Sequence, residues 1–145
     1  LGDVYKRQTM DRATEERFVR TFVSKQRRER LLLELVTPSR RQTGILRFCH
    51  SAALVIDFRT LVYRGKKLKR EDMERLLLPH AERGMCYAIS TNETIDGCFL
   101  PISEALDSLL GFGMPIILIC AHAALIECEQ EQGAAEKLIL VERCR

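Results

Sequence analysis

Pro115-Ile116-Ile117-Leu118-Ile119-Cys120 runs without a single charge and is dominated by isoleucine. A continuous β-branched, apolar run of this length is the pattern of an interior strand. The chain must therefore build a sheet around it. Cys86-Tyr87-Ala88-Ile89 reads as a second strand, and Asp96-Gly97 is a tight-turn signal leading into Cys98-Phe99-Leu100. Leu125 to Glu129 alternates, with Leu125, Glu127 and Glu129 on one face and Ile126 and Cys128 on the other. Gln130 to Glu136 reads as a loop, and Lys137 to Val141 as the last strand.

The helices are signalled differently. After Pro101, residues Ile102, Ala105, Leu106, Leu109 and Leu110 recur at i, i+3, i+4, i+7 and i+8, and Gly111 ends the pattern. In the first half, Asp11 can cap a long helix over Asp11 to about Val36, where Phe18, Val19, Phe22 and Val23 form one apolar stripe. The polar run Ser24 to Arg30 predicts a break near Lys25 to Arg28. Thr37-Pro38 opens a second helix with Thr37 as its cap, and Gly44 lies inside it. Glu71 to Leu78 forms another, with Glu71 placed to pair with Arg75. From Ala52 to Tyr63 the pattern fits strand and helix equally, and Arg64-Gly65-Lys66-Lys67 is a turn. The expected fold is α+β, a helical basic N-terminal half packed on a small, mostly antiparallel sheet formed by the C-terminal half and covered on one side by helices.

The opening residues Leu1-Gly2-Asp3-Val4-Tyr5-Lys6-Arg7-Gln8 resemble the translated mosaic end of a transposon-based sequencing adapter. The resemblance implies a non-native leader over 1–9 and a single domain over 10–145 starting at Met10. The longest nearly apolar stretch, Gly113 to Ile126, is shorter than the roughly 20 residues a bilayer span requires, so no membrane association is expected. Six cysteines at irregular spacings, with no signal-peptide pattern, fit free thiols in a cytoplasmic protein better than a disulfide framework.

A net charge of +3 hides a strong asymmetry. Residues 1–72 carry 18 Lys/Arg and nine Asp/Glu; residues 73–145 carry five and 11. The basic candidates for contacting an anion or nucleic acid are Arg20, Lys25, Arg27, Arg28, Arg40, Arg41, Arg47, Lys66 and Lys67. Arg40 and Arg41 stand out because they fall in a helix's first turn, where they oppose its dipole, so they are expected to answer an anion. The acidic candidates for contacting a protein are Glu127, Glu129, Glu131 and Glu136, read as an exposed acidic strand edge.

No sequence motif names a reaction. There is no CxxC, no HExxH and no phosphate-binding glycine loop. Cys120, His122 and Cys128 are the nearest approach to metal ligands, and their spacing is that of core thiols beside an ordinary histidine. Cys49 and His50 are adjacent, so their side chains diverge and make no nucleophile–base pair by themselves. Neither a cofactor nor a metal is expected. The chain reads as a non-enzymatic cytosolic interaction protein with a protein partner, acting through charged faces, with small immunity or antitoxin-like inhibitors as its analogues in size and charge segregation. The alternatives are a nucleic-acid-binding module using the basic helices, and a small enzyme joining a cysteine to His50, His80 or His122.

Overall fold

A computed structural model describes residues 10–128 and 133–143. The suspected leader, Glu129, Glu131 and Cys144 lie outside the described residues. Asp11 caps α1 (Arg12–Phe22) as its sequence suggests, its carboxylate accepting from the Thr14 amide at 3.0 Å. The helical run then breaks where the polar residues predict: Val23 is extended, Lys25–Arg27 form one 3₁₀ turn, and α2 follows over Arg28–Val36. Pro38 occupies the first turn of α3 (Pro38–His50), but the Thr37 hydroxyl donates back to the Leu33 carbonyl and caps nothing.

The ambiguous stretch resolves into three short pieces: α4 (Ala52–Val55), a 3₁₀ turn over Phe58–Thr60, and β1 (Leu61–Gly65). β1 takes in Arg64 and Gly65, which were expected in the turn. Next come α5 (Arg70–Leu77), β2 (Met85–Ser90), β3 (Phe99–Pro101), α6 (Ile102–Ser108), β4 (Ile116–Ile119), β5 (Ala123–Glu127) and β6 (Lys137–Val141). In α5, Arg75 pairs with Asp72 and Arg70 with Glu74, not Arg75 with Glu71.

The six strands form one antiparallel sheet in the order β1-β6-β5-β4-β2-β3, with helices mostly N-terminal and strands mostly C-terminal. The fold is α+β. β4 is interior, as its composition requires. Side chains alternate strictly between two cores. Tyr87, Ile89, Ile117, Ile119, Ala124, Ile126, Leu138 and Leu140 face the N-terminal helices, against Phe18, Phe22, Leu35, Ile45 and Phe48. Cys86, Ala88, Ile116, Leu118, Leu125 and Ile139 face the opposite way, against Met73, Leu77, Ile102, Ala105 and Leu106 of α5 and α6. Helices therefore cover both faces, not one as the sequence suggested. Burying both faces of a sheet demands apolar residues at successive positions, and β4 and β5 supply them.

α2 and α3 cross closely at Gly44. A Cβ there would stand 2.7 Å from the Glu34 Cβ, a contact that only backbone movement relieves. Gly44→Ala gains roughly 1 kcal/mol of helix propensity but overpacks the crossing by about 1–3 kcal/mol. Chemical denaturation should show a net loss of stability, with the unchanged m-value of an intact fold.

Candidate functional site

The sequence-predicted basic residues separate into two sets. Arg41 is buried. Its Nε donates to Asp96 Oδ2 at 2.7 Å, Nη1 donates to Glu15 Oε1 and the Leu35 carbonyl, and Nη2 donates to Glu15 Oε2 and Asp96 Oδ1. All five guanidinium N–H groups are thus satisfied. The Tyr87 hydroxyl donates to Glu15 Oε2 at 2.7 Å and accepts from the Asp11 amide, while Asp96 Oδ1 also accepts from the Ser90 amide. Burial works against the charge on Arg41, yet the hydrogen bonds to Asp96 and Glu15 outweigh it and hold the guanidinium above its usual range. Burial, reinforced by Glu15, likewise keeps the Tyr87 hydroxyl protonated. The anion that Arg41 answers is internal, so it is withdrawn from the surface candidates.

The others stay outside or at the margin. Lys25, Arg27 and Arg40 are exposed. Arg20 pairs with Glu16 on the α1 surface, Arg28 Nε donates to the Val23 carbonyl, and Arg47 pairs with Glu34. Lys66 and Lys67 are exposed after β1, and Lys66 lines a cleft of about 810 Å³ with His50, Leu54 and Cys128.

Charge in the N-terminal helical layer is sorted by depth. Between Asp11 and Thr60, Arg12, Arg17, Arg20, Lys25, Arg27, Arg30, Arg40, Arg47 and Arg59 are exposed, against only two exposed acids, Glu16 and Glu29. Glu15 and Glu34 are buried. Apolar side chains interrupt this basic surface: Leu33, Val36, Leu46, Phe58 and, at 79% exposure, Leu54. Between α2 and α3 lies a groove of about 200 Å³ floored by Leu31, Phe48 and Val55 and rimmed by Arg27, Arg30, Arg47 and Leu54. Sequence periodicity identified the basic residues here, but not the exposed leucines among them.

The acidic candidates fare differently. Glu127 is buried, at 1% exposure, on the central strand β5. The Gly111 amide donates to both of its carboxylate oxygens, and the Lys137 ammonium lies 3.6 Å away. Glu127 is therefore no contact residue and β5 is no edge. Glu136 is half-buried and paired with Arg64 at 3.1 Å.

Nucleophilic and metal chemistry gain little from the geometry. Cys49 is fully buried while His50 is exposed. His122, paired with Glu142 at 2.9 Å, precedes β5, and Cys128 follows it at the opposite end. Among the described residues, no group of three His, Cys, Asp or Glu is placed to hold a metal. His50 and Cys128 do share a cleft, but burial pushes the Cys128 thiol up to about 11, far from the thiolate a nucleophile needs. Burial raises Cys86 and Cys120 to about 12.

Removing Arg41 would leave Glu15 and Asp96 buried without their cation. Arg41→Met should cost about 3–5 kcal/mol, and Arg41→Lys, which keeps the charge but cannot replace a five-donor fork with three donors, about 1–3 kcal/mol. Arg40→Met should stay within about 0.5 kcal/mol of the wild type; denaturant titration of all three variants separates these outcomes. Burial is also the main cause holding the Glu127 carboxyl above its ordinary 4.5. The folded state then binds the proton more tightly than the unfolded state, so this contribution is complete below 4.5 and is lost as pH rises through the folded value. Thermal unfolding from pH 4 to 7 should show the wild type losing ground against Glu127→Gln as pH increases.

No protein-family model, curated protein or solved structure matches this chain, so a functional reading rests on the geometry and electrostatics of its own surface.

Proposed function

We propose that the protein is a non-enzymatic binding protein whose outer helical face, formed by α1 to α3, engages an acidic protein partner. The observation that supports this most is the sorting of charge by depth: this face turns Glu15 and Glu34 inward and presents eight Lys/Arg outward, from Arg12 to Arg47. A surface of one sign raises the encounter rate with a partner of the opposite sign and fixes its orientation. Affinity then needs desolvated anchors, and Leu54 and the α2–α3 groove offer an apolar seat inside the arginine rim. Small inhibitory binding proteins of the immunity and antitoxin kind work by the same physical logic, an analogy of size and charge only. Of the acidic candidates, Glu127 is buried and Glu136 is paired with Arg64, so neither contributes to this face.

Nucleic acid is the second reading, favoured by how far arginine outnumbers acid on this surface. Leu54 discriminates between the two. Phosphate contacts use the charges alone, whereas a protein partner uses both the charges and the leucine.

The test titrates the full chain with a labelled acidic helical peptide bearing leucines and with duplex DNA, at about 50 and about 200 mM salt. Replacing Arg27, Arg30, Arg40 and Arg47 together by Gln should abolish peptide binding, and Leu54→Ser should weaken it about ten-fold, the equivalent of losing one buried leucine. DNA binding that collapses with salt, together with an indifferent Leu54→Ser, transfers the face to nucleic acid. If neither probe binds at low salt, both readings fail.

A further inference from the structure

A second basic feature lies apart from the α2–α3 groove. The end of α1, the Phe58–Thr60 turn and the chain after β6 enclose a cleft of about 490 Å³ lined by Arg20, Arg28, Arg59 and Arg143, with Asp57 and Glu142 as its acids. Its walls are fixed by backbone pairing, since the Ser24 amide donates to the Val55 carbonyl and the Asp57 amide to the Phe22 carbonyl, each at 2.8 Å.

Both acids already have partners. Asp57 is gripped by Arg59, whose Nε and Nη2 donate to its two oxygens at 3.1 and 2.9 Å, and that contact holds the Asp57 carboxyl below the usual carboxylate range. Glu142 pairs with His122. Arg20, Arg28 and Arg143 remain, and although Glu16 pairs with Arg20, the four arginines of the cleft outnumber the acids that face them. Arg20, Arg28 and Arg143 are anchored in the same manner: Nε donates to Glu16, to the Val23 carbonyl and to the Arg59 carbonyl respectively. The hydrogen bonds that these three form with other described residues all run from Nε. Anchoring a guanidinium by Nε orients it while keeping both terminal nitrogens for a ligand, the arrangement that suits bidentate contact with a tetrahedral oxyanion.

We infer that this cleft binds a terminal phosphate group, as carried by a phosphomonoester or by inorganic pyrophosphate. Three guanidinium groups around one concavity match an ion with three peripheral oxygens better than a carboxylate with two. A site walled by three chain segments also admits a terminal phosphoryl group more readily than the continuous backbone of a duplex. Because Arg59 and Arg143 take no part in the partner-binding face, this inference stands or falls separately from that reading.

The experiment is calorimetric titration of the full chain with inorganic pyrophosphate, with amide chemical shifts recorded in parallel. One equivalent should bind, with the shifts concentrated at Thr21, Arg28, Thr60 and Arg143. Arg28→Gln and Arg143→Gln should each weaken binding about ten-fold, as expected for losing one charge-assisted pair. Among the described residues the Arg143 side chain is hydrogen-bonded to the Arg59 carbonyl, and it tests the site even if Arg28→Gln disturbs the packing at Val23. Arg12→Gln, outside the cleft, should leave binding unchanged. No saturation by about 1 mM, equal binding by all variants, or displacement of pyrophosphate by an equimolar DNA duplex would each overturn the assignment.

Discussion

Arg41 determines how the helical layer is assembled. Its planar fork joins Glu15 of α1 to Asp96 ahead of β3, from a position in the first turn of α3, and it also reaches the Leu35 carbonyl at the end of α2. Tyr87 then ties Glu15 to the sheet. Buried charge carries a large desolvation cost, so this cluster tolerates only the arrangement in which every donor meets an acceptor. Apolar stripes such as Phe18, Val19 and Phe22 contribute shape, while the five-bonded guanidinium adds direction. The cluster selects one register for three helices on the sheet.

The same cluster explains the surface. The helical layer is rich in bases by composition, and packing sharpens the imbalance. Here Glu15 is consumed by Arg41, and Glu34 by Arg47 with Arg30 nearby. The acids are spent in crossing contacts and the bases remain outside. The field of this face follows from the basic composition of the N-terminal half together with the burial of two of its acids, and the near-neutral total charge conceals it.

Much of the fold was legible locally. The uncharged Pro115–Cys120 run, the Asp11 cap, the break at Lys25 and the periodic segment after Pro101 each specify their element from neighbouring residues alone. What failed depended on distant partners. Ala52–Tyr63 is ambiguous because β1 exists only through pairing with β6, whose residues lie far along the chain. Glu127 reads as exposed because alternation in a strand ordinarily marks a solvent face; α5 and α6 cover that face, and the Gly111 amide and Lys137 accommodate the carboxylate. For Arg41, opposition to the helix dipole correctly signalled an anion but not whose. The missing clue was Glu15, an acid on the same stripe as Phe18, Val19 and Phe22. Of the candidate site, the arginines were readable in the sequence. The cleft that Arg28 and Arg143 share was not, since it joins segments from both ends of the described chain.

The pairing of Leu61 with Leu140 also bears on how the protein is made. On the ribosome, α1 to α4 leave the exit tunnel long before the strands that receive Phe18, Ile45 and Phe48 have been synthesised. Until β6 emerges, β1 has no neighbour and the helical layer has no complete sheet to lie on. The nascent N-terminal half therefore waits with its phenylalanines uncovered and its arginines close to ribosomal RNA. Holding that segment in an open state until β6 has emerged is a demand this topology places on the cell.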